Sequence, residues 1–113
     1  MFGLPADFDG SFLVGLTLEM VCFNENQMYL HFSANTMITI ESGYSYNSEE
    51  IREIPVHESN LMRLLGSSVS RAYGDASGTL SLVFDREQVL RIYDTSKQYE
   101  SYSIRHAGKV TLV

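Results

Sequence analysis

Apolar and polar positions alternate with a period of two in several short runs, among them Met28-Tyr29-Leu30-His31-Phe32, Ile38-Thr39-Ile40, Leu80-Ser81-Leu82-Val83-Phe84 and Leu90-Arg91-Ile92. Successive side chains of a strand point to opposite faces, so this period predicts strands with one buried face. Met28, Leu30, Phe32, Ile38 and Ile40 should share a core face with Leu80, Leu82, Phe84, Leu90 and Ile92.

The runs also recur. Leu13-Val14-Gly15 falls on Leu64-Leu65-Gly66 at an offset of 51, which brings Leu18 onto Val69 and Val21 onto Ala72. One extra residue in the next turn moves the offset to 52, and then Met28–Phe32 falls on Leu80–Phe84 and Ile38–Ile40 on Leu90–Ile92. Each unit reads as a three-strand meander. Its turns, Asn24-Glu25-Asn26, Ser33-Ala34-Asn35, Asp75-Ala76-Ser77-Gly78 and Asp85-Arg86-Glu87, supply residues that tolerate tight hairpins. The register of 16–23 and 67–74 is less regular, with apolar residues on both faces, as a β-bulge would produce.

Between the units, Pro55 through Gly66 reads as a helix. Proline suits its first turn, Leu61, Leu64 and Leu65 fall at helical spacing, and Gly66 closes the end. Ser42 to Ile54 is polar and tyrosine-bearing and reads as a strand extension running into a surface loop. Tyr99 to Ile104 alternates as a strand, Ala107-Gly108 is a turn, and Lys109 to Val113 closes a hairpin. The whole predicts a single mainly β (β-rich α+β) domain over 1–113. It has repeat unit one near 13–41, a helical connector near 55–66 with one short helix near 57–65, repeat unit two near 66–93 and a C-terminal hairpin near 98–113. The duplicated meander is expected to form a two-sheet or barrel-like structure.

These blocks resemble a family of small uncharacterised bacterial β-rich proteins. The matching segments are Phe12-Leu13-Val14-Gly15, Leu30-His31-Phe32, Ile38-Thr39-Ile40-Glu41, Leu64-Leu65-Gly66, Gly78 through Phe84 and Tyr99-Glu100-Ser101-Tyr102-Ser103-Ile104, the last being the distinctive one. The resemblance implies no catalytic residues. Some members look like immunity or accessory proteins of toxin systems, which implies a binding role.

Composition narrows the classes. Hydrophobic residues make up 44% and charged residues 19%, the balance of a chain that folds rather than stays disordered. No apolar run has the length of a membrane span, and the first residues carry no basic region before their acids, so the chain reads as cytoplasmic and without a membrane partner. Cys22 is the only cysteine, which excludes an intrachain disulfide, and it reads as a small buried hydrophobe. The net charge of −6 argues against a nucleic-acid partner. Residues 1–60 hold nine acids against Arg52 alone, whereas residues 61–113 hold seven bases against five acids. Such asymmetry suits an acidic surface that meets a protein partner or a second copy of the chain as a homodimer.

Candidate chemistry is sparse. His31, His57 and His106 lack local metal-ligand spacing, no Gly-x-Ser-x-Gly elbow or phosphate-cradling glycine loop is present, and no cofactor is implied. Glu41 and Glu100 both end apolar strands and read first as ordinary strand-end carboxylates. The tyrosines, with a rigid apolar body and a polar tip, suit an interface. The candidate ligand or partner site is therefore Tyr44, Tyr46, Tyr99, Glu100, Tyr102 and His106, with no catalytic or metal-binding residue. The function expected is non-enzymatic binding or an accessory, immunity-type role. The alternative is a small-molecule-binding or enzymatic β domain with its site near the Tyr-Glu-Ser-Tyr strand.

Overall fold

The computed structural model describes residues 4–5, 7–47, 49–53, 60–95 and 100–113. Within them the strands are β1 (Leu18–Phe23), β2 (Met28–Phe32), β3 (Thr36–Ile40), β4 (Gly43–Tyr46), β5 (Arg52–Glu53), β6 (Val69–Gly74), β7 (Leu80–Phe84), β8 (Val89–Tyr93), β9 (Tyr102–His106) and β10 (Lys109–Leu112). They form two antiparallel five-stranded sheets in the orders β1-β2-β3-β9-β10 and β5-β4-β8-β7-β6. Of the two architectures expected, the pair of sheets is the one observed, and the described residues form no closed barrel.

Alternation places the core correctly. All ten side chains assigned inward from the period-two pattern are 3% exposed or less, joined by Leu13, Leu18, Tyr44, Leu61, Leu64, Val69, Tyr102 and Ile104. Each fully buried aliphatic side chain of this kind contributes about 1.5–3 kcal/mol. Phe32 and Phe84 stack across the sheets with ring centroids 6.3 Å apart.

The two sheets are built by the same pairing rules. In the first, Leu18 faces Phe32 and, after a bulge, Met20 faces His31. In the second, Val69 faces Phe84 and, after a bulge at the same place, Arg71 faces Val83. Where the sheets meet, Gly15 N–H donates to Val69 O at 2.7 Å and Gly66 N–H donates to Leu18 O at 2.8 Å, each the counterpart of the other at an offset of 51. Thr17 and Ser68 form a bridge there, with hydroxyls 3.2 Å apart. Gly15 and Gly66 have φ of +89° and +83°, the left-handed conformation that lets both chains turn into this junction.

The meander then exchanges its last strands. β3 leads into β4 through Glu41 and Ser42 alone, yet β4 pairs with β8 of the other sheet, while β9, which follows β8, pairs with β3. Tyr44 beside Ile92 and Tyr102 beside Ile40 thus occupy matching places. The stretch expected to run from a strand into a surface loop instead contains β4, buried at all four positions, and β5. Its polar side chains are accommodated by partners, such as Ser45 Oγ with Tyr93 Oη at 2.7 Å.

Two other expectations are corrected. Residues 55–59 of the anticipated connector lie outside the described residues, and within the remainder only Leu61–Leu64 is helical, as a single 3-10 turn. Leu61 and Leu64 are buried by it, and Leu65 is already extended (ψ 130°) because the chain must reach β6 within four residues. A matching 3-10 turn at Gly10–Leu13, capped by Asp9 accepting from Ser11 N–H at 2.9 Å, packs on β6 so closely that a Cβ at Gly10 would lie 2.6 Å from Ala72 O. Cys22 is half-exposed rather than buried, because the bulge between Leu18 and Met20 turns Met20 and Cys22 onto the outer face.

Candidate functional site

The five described residues of the six singled out in the sequence do not converge. Tyr44 and Tyr46 lie on β4 in one sheet, and Tyr102 and His106 on β9 in the other; Tyr99 lies outside the described residues. Tyr44, Tyr46 and Tyr102 are 1%, 6% and 0% exposed, so these rings serve the core instead of presenting themselves to a partner. Tyr102 Oη donates to Gly78 O at 2.7 Å. Burial, followed by the charges of Asp94 and Asp75, pushes its phenol well above the ordinary tyrosine range, so it stays a neutral donor. Tyr46 Oη donates to Gln88 Oε1 at 2.8 Å. Glu100 is half-buried just before β9, and His106 ends that strand, so the two stand about 20 Å apart by strand rise.

Serines fix the exchange corner beside Glu100. Ser101 O accepts from Glu41 N–H and Ser42 N–H at 2.9 and 3.2 Å. Ser101 Oγ donates to Asp94 Oδ1 and Ser42 Oγ donates to Tyr93 O, both at 2.7 Å. This polar cluster has its partners within the protein and holds the crossing strands.

The outer face of the first sheet is a different surface. The register places Met20, His31, Met37, Arg105 and Val110 in one cross-strand row, and Cys22, Tyr29, Thr39, Ser103 and Leu112 in the next. Arg105 is the one formally charged side chain among these ten. Met20, Val110 and Leu112 are 50%, 49% and 36% exposed. Five strands at ~4.8 Å spacing and some four residues of rise give a face of roughly 300 Å², with its exposed apolar side chains on the two edge strands, β1 and β10. No family, curated protein or solved structure matches the chain. The site must therefore be read from its own geometry.

That geometry is polarised along the strands. Glu25, Glu41 and Glu100 gather at the end where β1 turns into β2 and β3 leaves the sheet, whereas Arg105 and Lys109 lie toward the opposite end. Gln27 Nε2 donates to Glu41 Oε1 at 3.1 Å and helps fix that rim. The opposite sheet's outer face is less open. Val83 and Ser81 are 2% and 4% exposed there, with Arg71 and Val89 flanking Val83 in register and Tyr73 and Arg91 flanking Ser81.

The strand exchange also re-sorts the charge read along the sequence. β9 and β10 carry Arg105 and Lys109 from the basic half into the first sheet, and β4 and β5 from the acidic half join the second. Strands hold Arg52, Arg71, Arg91, Arg105 and Lys109 against Glu19 and Glu53; most acids of the described residues sit in turns and loops.

Two polar contacts involve histidines. His31 lies on the outer face with its ring 6.4 Å from that of Tyr29. His106 Nδ1 is 2.6 Å from Thr36 Oγ1, and its ring is 4.8 Å from that of Phe12. Thr36 is only 2% exposed, so it holds the imidazole rather than reaching a substrate. Among the described residues no three histidine, cysteine, aspartate or glutamate side chains are grouped as a metal site would need, and no helix is long and apolar enough to cross a membrane. Sequence reasoning missed Met20, Val110 and Leu112 because their exposure depends on a bulge and on an edge strand. Only the irregular register of 16–23 hinted at the first.

Proposed function

We propose that the protein is a non-enzymatic binding or accessory protein that presents the outer face of its β1-β2-β3-β9-β10 sheet to another protein. The carrying observation is the pair of cross-strand rows with a single formal charge and three markedly exposed apolar side chains. The partner matched to this surface has an apolar patch of its own with a basic group set to meet the rim of Glu25, Glu41 and Glu100. At roughly 300 Å² the face is smaller than the ~800 Å² per side of a standard interface, so the acidic rim contributes much of the contact. The sequence blocks that resemble small accessory proteins point the same way. The alternative site near the Tyr-Glu-Ser-Tyr strand has less support, since Tyr102 is inside, and Glu100 precedes β9 whereas His106 ends it.

A photo-crosslinking amino acid at Met20, compared with one at Tyr73 on the other sheet's outer face, tests the proposal in the native host. One defined heterologous adduct from position 20, lost with Val110→Glu and absent from position 73, is the expected result. Equal labelling from both positions, or an adduct of two copies of this chain alone, overturns it.

A further inference from the structure

We infer that the cleft between the Gly10–Leu13 turn and the β9–β10 hairpin binds a small carboxylate with a flat apolar body. The cleft has a volume of about 240 Å³ and is lined by Phe12, Ile104, His106, Lys109 and Thr111. It opens on the opposite side of β10 from Val110, so it is separate from the proposed protein-binding face.

Two cross-strand pairs on the same side of the hairpin build it. His106 faces Lys109 across the Ala107-Gly108 turn, and Ile104 faces Thr111 one step further in. Side chains paired in this way stand within about 5.5 Å at Cβ, and both the Lys109 and the His106 side chains line the cleft. Thr36 engages Nδ1 at 2.6 Å and the Phe12 ring packs at 4.8 Å, which fixes the imidazole plane and leaves Nε2 to meet a ligand. Phe12 and Ile104 supply an apolar wall against which a flat body can lie.

Charge selects the ligand class. Three other clefts each include a carboxylate, Asp75, Glu19 or Asp85, whereas this one combines a lysine and a histidine with no acid in its lining, in a chain of net charge −6. The cleft of the other half places Arg63 and Tyr46 where this one has Phe12 and Ile104. The pairing of a phenylalanine ring with an imidazole is thus particular to one half. The volume equals about eight waters at ~30 Å³ each, which suits a ligand on the order of ten non-hydrogen atoms.

Benzoate is a suitable probe, followed by amide chemical shifts in the whole chain. Saturable shifts confined to Phe12, Thr36 and 104–111 are expected, with benzamide and acetate each binding about tenfold more weakly. Lys109→Gln, a change at an exposed side chain that leaves the core untouched, should weaken benzoate about tenfold as well. Absence of shifts, equal binding of benzamide or acetate, or undiminished binding by Lys109→Gln overturns the inference.

Discussion

Severing the chain between the two halves should leave a protein that holds together. A protease recognition site placed within 54–59, cut while the protein is folded, separates β1–β5 from β6–β10. Neither fragment owns a complete sheet: the first keeps β1-β2-β3 but its β4 and β5 belong beside β8, and the second keeps β6-β7-β8 but its β9 and β10 belong beside β3. The fragments are joined by the β3–β9 and β4–β8 ladders, by the reciprocal bonds around Thr17 and Ser68, and by the core between the sheets. For a chain of this length, stability is on the order of 8 kcal/mol. A short connection at millimolar effective concentration is worth about 4 kcal/mol more, so the fragments should associate with roughly nanomolar affinity. Size exclusion of the nicked protein in native buffer should give a single peak containing both fragments. Its urea midpoint should fall by about 0.7 M for each tenfold dilution, from 1.4 kcal/mol per decade and an m-value near 2 kcal/mol/M, while the uncut chain shows no such dependence. Separation in native buffer into two species that each keep β-sheet circular dichroism would refute the exchanged topology.

Two smaller predictions concern the turns. Arg86 and Glu87 hold φ of +63° and +60°, a conformation that costs ordinary residues about 1–2 kcal/mol each, so replacing the pair with Asn-Gly should stabilise the protein by about 1 kcal/mol and raise Tm by about 3–6 °C; an unchanged or lower Tm would contradict the turn geometry. The Ser77 hydroxyl at 2.6 Å holds the Asp75 carboxyl below the usual carboxylate range against desolvation, with smaller help from the N–H groups of Thr79 and Ser77. Because the folded value is depressed, the stability this provides is present above the unfolded pKa near 3.9 and is lost as pH falls through the folded one. Urea midpoints should therefore show wild type ahead of Asp75→Asn at pH 5 and the gap closing below about pH 4; a gap independent of pH counts against the assignment.

How much of the fold is legible in the sequence depends on what alternation encodes. A period of two specifies the face of each side chain, and so Met28, Leu30, Ile38, Leu80, Leu90 and their neighbours are placed inward correctly. It does not specify which strand lies alongside, and the exchange of β4 and β9 leaves no mark in the pattern. The equivalence of Tyr44 and Tyr102 is hidden for a related reason: two residues separate β3 from β4, but eight separate β8 from β9, so the constant offset breaks at that point. Both tyrosines look like interface residues because an amphipathic ring suits either a surface or a core that offers its hydroxyl an acceptor, and for Tyr102 that acceptor is Gly78 O. The Gly10–Leu13 turn is too short to show helical periodicity. The His106 cleft needs Phe12 and Lys109 brought together from opposite ends of the chain, which no local spacing reports.

The pairing of Ile38 with Ile104 also has a meaning for synthesis on the ribosome. β3 emerges with an unpaired edge and one apolar face, and its neighbour is 66 residues further along. At about 5–20 residues per second, the first meander waits on the order of 4–14 s before β9 and β10 can cover it. During that interval the nascent chain exposes an edge that other strands can join, so removing β9 and β10 by truncation should lower soluble yield sharply, a consequence of the order in which the strands are made.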